Sequence, residues 1–209
     1  RGKNMNINKS TTPKSVRGRP KTLDCKETVD IAMLEYWLDE QNSISLNEIC
    51  RRVKVSKPGI YREFGNEDGL LEAVLLKYEK DVSSSLLEIL TLNENFKEIL
   101  EKIAVYVTSK KEDKKSAKGC LLVKLQDSKI NMGPKTQKQI LSMQNKFLQA
   151  YEECILNAKE KGQLQKNITT ELAVDYLNTQ INNAASLLMQ GKEEKKVKEM
   201  LLLSFSILT

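Results

Sequence analysis

The chain has 209 residues, of which 34 are basic, 28 are acidic and none is histidine, and its formal net charge is +6. Without histidine, Ser-His-Asp catalysis, Cys-His catalysis and imidazole metal sites are excluded. With 40% apolar residues, the chain has enough apolar side chains to bury a core. We therefore expect a globular protein that is not an enzyme and has neither a metal nor another cofactor.

The four cysteines predict neither a zinc site nor a disulfide framework. Cys25, Cys50, Cys120 and Cys154 are widely spaced and include no C-x-x-C pair. We interpret them as buried thiols in a reducing compartment. No apolar run reaches the roughly 18 residues of a membrane span, and the first 22 residues lack the apolar centre of a signal peptide. A soluble, cytoplasmic protein without a membrane partner is expected.

The positive charge is concentrated in an N-terminal arm. Residues 1–22 contain seven basic side chains and no acidic one, so the rest of the chain is nearly neutral. The arm lacks apolar periodicity and is predicted to be flexible, either as a DNA-binding element or as a tail that aids solubility. Its run Arg17-Gly18-Arg19-Pro20-Lys21 resembles the core of AT-hook peptides, whose arginines enter narrow A·T minor grooves. We expect Arg17, Arg19 and Lys21 to contact DNA.

Apolar residues at helical spacing predict a first helix from Asp24 to about Asp39. Its inward face consists of Val29, Ala32, Met33, Tyr36 and Trp37.

A helix-turn-helix is predicted next, at residues 45–64. Ser45 and Glu48 form an S-x-x-E capping box that starts a short helix. Ser56 can cap a second short helix with Pro58 in its first turn, where the missing N–H is harmless. Two short helices joined by a tight turn, after a longer helix, are typical of a three-helix DNA-binding module.

The remainder of the chain is also predicted to be helical. A fourth helix starts at Glu67 and bends or breaks near residues 83–85 before it ends at Leu90. Further helices are predicted after residue 93, at 119–123, at 134–162, from 169 or 170 to 191, and at 193–208. The expected fold class is all-α, with about nine helices.

Residues 45–75, SLNEICRRVKVSKPGIYREFGNEDGLLEAVL, are similar to the helix-turn-helix signature of the TetR (tetracycline-repressor) family of bacterial transcriptional regulators. The shared elements are an apolar-periodic helix, V-S-K, a Tyr with a Phe three residues later, and an acidic start of the fourth helix. The fragments G-R-P-K, G-C-L-L and E-K-G-Q-L resemble one branch of that family. The resemblance implies a flexible arm (1–22), a DNA-binding domain (23–68) and a ligand-binding and dimerisation domain (69–209).

Two positions depart from the family pattern. Lys54 stands in the turn where family members usually have glycine, so it must accept a positive φ or the turn must change shape. Glu67 stands where a lysine usually approaches a DNA phosphate; a glutamate suits the helix dipole but repels phosphate.

The charge around the motif supports DNA binding independently of the resemblance, because basic residues outnumber acidic ones between positions 43 and 65. Lys57 and Arg62 can reach base edges or phosphates, and Gly59 would let the backbone approach DNA closely. The residues expected to contact DNA in this module are Ser45, Ser56, Lys57, Pro58, Gly59, Tyr61 and Arg62.

A module of this size binds DNA weakly alone, so we expect a homodimer on a palindromic operator of double-stranded DNA. The last two helices are predicted either to form the dimer surface or to close the core of the monomer. The residues in question are Leu177, Ile181, Ala184, Ala185, Leu188, Met200, Leu201 and Leu203.

The resemblance also implies a pocket for an effector between the helices from Phe96 to Ala158. The side chains expected to line it, or else to be plain core, are Phe96, Tyr106, Met143, Phe147 and Tyr151. Such a lining favours a small, mostly apolar ligand.

These features together predict a nucleoid-associated homodimeric repressor that a small, mostly apolar ligand releases from its operator. The alternatives are a DNA-binding regulator gated by a protein partner or by nothing, a nonspecific DNA-compacting protein that relies on the arm, and a helical enzyme. No nucleophile–base pair or metal cluster in the sequence supports the enzyme.

Overall fold

The computed structural model describes residues 24–39, 44–109, 119–126 and 132–209, and every regular element in these ranges is a helix. The α-helices are α1 (Cys25–Leu38), α2 (Leu46–Val53), α3 (Lys57–Phe64), α4 (Glu67–Tyr78), α5 (Ser84–Leu90), α6 (Phe96–Thr108), α7 (Leu121–Gln126), α8 (Pro134–Glu160), α9 (Thr170–Met189) and α10 (Glu194–Phe205). A π-helical turn (Glu79–Ser83) joins α4 to α5 without a break. Counted as one bent helix, this stretch brings the described residues to nine helices and confirms the predicted all-α class.

The first helix begins and packs as its sequence predicts. The carboxylate of Asp24 accepts a hydrogen bond from the N–H of Glu27 at 3.0 Å, which caps α1. All five residues of the predicted inward face are buried. Trp37 packs edge-on against Tyr78, with 5.0 Å between ring centroids. Trp37 is therefore a core residue that holds α1 against α4.

Buried apolar side chains form two clusters that share one helix. The first cluster joins α1 to α4 and also contains Leu121 of α7 and Ile140 of α8. The second cluster lies among α5, α6, α8, α9 and α10, around Phe96, Ile155 and Leu177. Because α8 contributes to both clusters, the N-terminal helices are packed directly on the C-terminal bundle. The predicted domain boundary between residues 68 and 69 stays a prediction.

Two polar contacts reinforce this packing. The carboxylate of Asp68, in α4, accepts hydrogen bonds from the backbone N–H groups of Lys135 and Thr136 in the first turn of α8. The buried ammonium of Lys124, in α7, donates to the carbonyl oxygens of Tyr36 at 2.7 Å and Trp37 at 3.2 Å, at the end of α1. Both contacts satisfy backbone groups at a helix end that have no partner within their own helix.

Candidate DNA-binding surface and ligand cavity

The turn between α2 and α3 is built around one residue in the left-handed conformation. Lys54 has φ 56° and ψ 37°, and it is the one residue other than glycine with a positive φ among those described. Its N–H points back to the carbonyl oxygens of Cys50 and Arg51 and closes α2. Of the two possibilities that the sequence leaves open, the structure has the positive φ, so the turn keeps its shape despite the lysine.

The hydroxyl groups of Ser45 and Ser56 cap the two helices of the motif, as predicted. Ser45 Oγ accepts from the N–H of Glu48 at 3.2 Å, and Ser56 Oγ accepts from the N–H of Gly59 at 3.3 Å. Each hydroxyl keeps its own proton available for donation. The carboxylate of Glu48 pairs with the guanidinium groups of Arg51 and Arg52, at 2.7 and 2.6 Å.

These pairs divide the basic residues of the motif into two groups. Hydrogen bonding to Arg51 holds the pKa of Glu48 below its ordinary value, so Glu48 stays charged and occupies both arginines of α2. Lys57 and Arg62 on α3, by contrast, form no ion pair with any residue that the structure describes. The free positive charge of the motif is therefore on α3.

Five predicted contact residues of α3 and its cap are exposed: Ser56, Lys57, Pro58, Tyr61 and Arg62. The ammonium of Lys57 lies 5.6 Å from the centroid of the Tyr61 ring, a cation–π distance that keeps both groups on one side of the helix. Tyr61 is 42% exposed, with its hydroxyl free of any partner in the described chain. The outer face of α3 thus offers two cations and a phenol.

Gly59 does not lie on this outer face, so the prediction that it is exposed is wrong. It is buried, and a Cβ at this position would lie 2.9 Å from a methyl carbon of Val55. The glycine is needed to pack α3 against the preceding turn. The AT-hook-like residues Arg17, Arg19 and Lys21 lie outside the described residues.

A cavity of about 370 Å³ lies behind the motif, between the π-helical turn and α6 to α9. Its volume falls at the lower end of the roughly 300–1,000 Å³ of small-molecule sites. Three of the five predicted lining residues line it: Tyr106, Phe147 and Tyr151. Phe147 and Tyr151 stack with their centroids 6.1 Å apart.

Phe96 and Met143 do not line the cavity, and those two predictions are wrong. Phe96 is in the first turn of α6, about 15 Å along the helix from Tyr106, and is buried in the C-terminal cluster. Met143 turns to the other side of α8 and joins the N-terminal cluster. Periodicity identified both as inward-facing without distinguishing a packed core from a cavity wall.

The polar groups in the cavity wall are hydroxyls, amides and one thiol. The Tyr106 hydroxyl donates to the carbonyl of Val82 in the π-helical turn at 2.5 Å. The Tyr78 hydroxyl donates to Cys120 Sγ at 3.3 Å. Burial, together with the nearby Cys120 thiol, raises the pKa of Tyr106 to about 12. These phenols are neutral at physiological pH and act as hydrogen-bond donors.

Two of the four cysteines do not fit the prediction of buried thiols. Cys50 and Cys154 are buried, whereas Cys25 and Cys120 are partly exposed; all four are free. Cys120 opens into the cavity because it directly precedes α7 in its wall.

Comparisons with known proteins agree with this geometry. Residues 42–74 match the family model of the bacterial regulatory proteins of the tetR family. These residues form a TetR-family helix-turn-helix. The HTH-type transcriptional repressor ComR of Escherichia coli K12 is 37% identical over 65 residues, which span 31% of this chain and 31% of ComR. The match thus covers less than a third of that curated relative.

Solved structures resemble the TetR-family chain over most of its length. Reduced NemR of E. coli is 14% identical and has a TM-score of 0.72, over 88% of this chain and 97% of NemR. A TetR-family regulator of Agrobacterium tumefaciens is 12% identical, with a TM-score of 0.75 over 88% of this chain and 97% of that one. A cysteine mutant of CifR bound to a 26-bp operator is 16% identical, with a TM-score of 0.72 over 92% of this chain and 100% of CifR. At these identities, the likeness is one of fold.

The last two helices of this TetR-family chain do not present the predicted dimer surface. Six of its eight residues are buried within the chain itself: Leu177, Ile181, Ala184, Ala185, Leu188 and Leu201. Helix α9 packs against α6, α8 and α10, and its alanines allow that close internal packing. Only Met200 and Leu203 are exposed, at 41% and 75%.

A different apolar surface is present at this end of the molecule. Leu172 on α9 and Ile207 after α10 are exposed alongside Met200 and Leu203. Tyr176, one turn after Leu172, donates to the carbonyl of Ser204 at 3.0 Å, which holds the two helices side by side. The spacing of residues 200, 203 and 207, opposite the buried 197, 201, 205 and 208, was a signal for this face in the sequence.

The described residues of the TetR-family chain contain no cluster of acidic residues and cysteines able to hold a metal ion. No helix among them is long and apolar enough to cross a membrane.

Proposed function

We propose that the chain is a sequence-specific DNA-binding transcriptional repressor that acts as a homodimer and leaves its operator when a small, mostly apolar ligand binds. Its place of action would be the bacterial cytoplasm, at the nucleoid. The arm (1–22) and residues 23–68 would bind DNA, and residues 69–209 would bind the ligand and dimerise.

The outer face of α3 supports DNA binding most directly. Lys57, Tyr61 and Arg62 are exposed together, and in the described chain neither cation is neutralised by a carboxylate. A helix of this kind enters the major groove, where an arginine that contacts guanine with two hydrogen bonds contributes roughly 1–3 kcal/mol of discrimination. CifR, which has the same fold, was solved with double-stranded operator DNA.

The exposed apolar surface formed by Leu172, Met200, Leu203 and Ile207 is the proposed dimer interface. Four large apolar side chains exposed side by side at one end of a chain are typical of a surface that another subunit covers. A two-fold interface there would place two α3 helices on one DNA duplex, about 34–36 Å apart or near a multiple of that distance.

The cavity is the proposed effector site, and α8 is the proposed route to DNA. This helix carries Tyr151 in the cavity wall and Thr136 at the contact with Asp68, directly after the helix-turn-helix. A ligand that shifts α8 would change the relative position of the two α3 helices. By linkage, operator DNA must then weaken ligand binding by the same factor.

Selection of bound sites from random double-stranded DNA tests the proposal. We expect one enriched palindrome, and Lys57→Ala should weaken binding to it more than Lys195→Ala, which removes an exposed lysine of α10. Deleting residues 1–21 should lower affinity and flatten the dependence on salt by roughly 0.9 per lost phosphate contact, with sequence preference kept.

Enrichment of no sequence, with a steep dependence on salt, would instead favour the alternative of a nonspecific DNA-compacting protein. Specific binding that no small molecule changes would favour gating by a protein partner or no gating at all.

A further inference from the structure

The cavity wall contains no charged side chain among the residues described, although 30% of the chain is charged. The polar groups facing the cavity are neutral: phenols, carboxamides, one serine and one thiol. A charged ligand would lose its hydration here without gaining a counter-ion, which is strongly unfavourable. The wall therefore selects against ions of either sign.

One hydroxyl in this wall has no partner. Tyr151 is only 2% exposed and lines the cavity, yet its hydroxyl makes no hydrogen bond within the described chain. Burial and the nearby Cys120 thiol raise its pKa, so the hydroxyl is protonated and able to donate. A buried donor that is left unpaired costs free energy, which an acceptor on a ligand would recover.

The neighbouring phenols differ in this respect. Tyr78 donates to Cys120 and accepts from the N–H of Leu121 at 3.3 Å, and Tyr106 donates to Val82. Across the cavity, the amide of Asn182 donates to Asn178 at 3.2 Å. Tyr151 is therefore the phenol whose donor remains available for a ligand.

We propose that the cavity binds an uncharged molecule with an apolar, ring-sized body and a carbonyl or similar oxygen that accepts a hydrogen bond from the Tyr151 hydroxyl. The stacked rings of Phe147 and Tyr151 form the apolar surface against which the body packs. This specifies the effector class of the proposed function and rests on it only for the effect on DNA.

Three matched probes test the inference on the full chain without DNA. Benzophenone is neutral and has a carbonyl; diphenylmethane replaces the carbonyl with CH₂; 4-benzoylbenzoate adds a negative charge. Affinities are measured by calorimetric titration, and irradiation of bound benzophenone followed by mass spectrometry locates the site. We expect benzophenone to bind about three- to tenfold more tightly than diphenylmethane, the range of one net hydrogen bond.

The charged probe should bind about tenfold or more weakly than benzophenone. Tyr151→Phe should abolish the preference for benzophenone over diphenylmethane and leave diphenylmethane binding unchanged. Because the Tyr151 hydroxyl holds no other residue, this variant should keep the thermal stability of the parent. Tyr176→Phe, which removes a hydroxyl outside the cavity, is the matched control and should change neither affinity.

Equal binding of 4-benzoylbenzoate, no effect of Tyr151→Phe on the preference, crosslinks outside the cavity, or no binding of either neutral probe would each overturn the inference. Gating is measured separately, as operator affinity with and without benzophenone. If benzophenone binds through Tyr151 and operator affinity does not change, the ligand class holds and the proposed gating fails.

Discussion

The carboxylate of Asp68, in the first turn of α4, accepts hydrogen bonds from both the backbone N–H and the hydroxyl of Thr136, at 2.9 and 2.7 Å, in the first turn of α8. Helix α8 starts with Gly133 and Pro134 and has no side-chain cap of its own. An aspartate 68 positions away in the chain supplies the cap instead. The contact connects the helix that follows the DNA-binding motif to the helix that forms one wall of the cavity.

Asp68→Asn should lower the free energy of unfolding by about 1–3 kcal/mol at neutral pH, because it removes charged hydrogen bonds to a helix N-terminus. Partial burial alone would raise the pKa of Asp68, but hydrogen bonds from Thr136 and Lys135 and the charge of Lys135 outweigh it, and the pKa lies below its ordinary 3.8. The stabilisation is therefore complete above that value and is lost as the pH falls through the lowered pKa.

Urea unfolding of the parent and Asp68→Asn between pH 7 and pH 3 measures this difference. Asp175→Asn, at an exposed position of α9, is the control and should change little. A penalty for Asp68→Asn that stays constant into acid would contradict the assigned role.

Gly133→Ala should destabilise the protein because of steric overlap with Asp68. A Cβ at position 133 would lie 2.3–2.6 Å from the three carboxyl atoms of Asp68. The φ of Gly133 is −71°, which alanine adopts readily, so no backbone strain is involved. We expect a loss of about 1–3 kcal/mol, and a much smaller loss when Asp68 is already alanine. A thermal-unfolding double-mutant cycle measures this coupling, and additive effects would refute it.

Lys54→Gly should stabilise the protein by about 1 kcal/mol relative to Lys54→Ala. Both substitutions remove the same charge, but only glycine adopts the φ of 56° at no steric cost. Chemical denaturation of both variants isolates the backbone term from the loss of the ammonium group. Equal stability of the two would mean that the turn adjusts its conformation.

Leu203→Glu should convert the proposed dimer to a monomer. Leu203 is 75% exposed, so the substitution should leave the fold of each subunit intact while placing a charge in the interface. Val105→Glu, on the exposed side of α6, is the matched control and should remain dimeric. Sedimentation equilibrium distinguishes the two, and a dimer that survives Leu203→Glu would place the interface elsewhere.

The sequence by itself determined the features that depend on near neighbours in the chain. Ser45 and Ser56 cap their helices because a hydroxyl and an N–H three residues apart meet at any helix start. The positive φ of Lys54 follows equally from its place between two short helices. Apolar periodicity identified the helices and the buried face of α1 for the same reason.

Only the tertiary structure decided what covers each apolar face. Periodicity identifies an inward side of a helix, but it does not say whether that side meets a packed core, as at Phe96, or a cavity, as at Tyr151. Nor does it say whether Ala184 packs within the chain or on a second subunit. The cap that Asp68 provides for α8 depends on two helices meeting across 68 positions. Such contacts come from the packing of all helices together, because no local sequence rule joins residues so far apart.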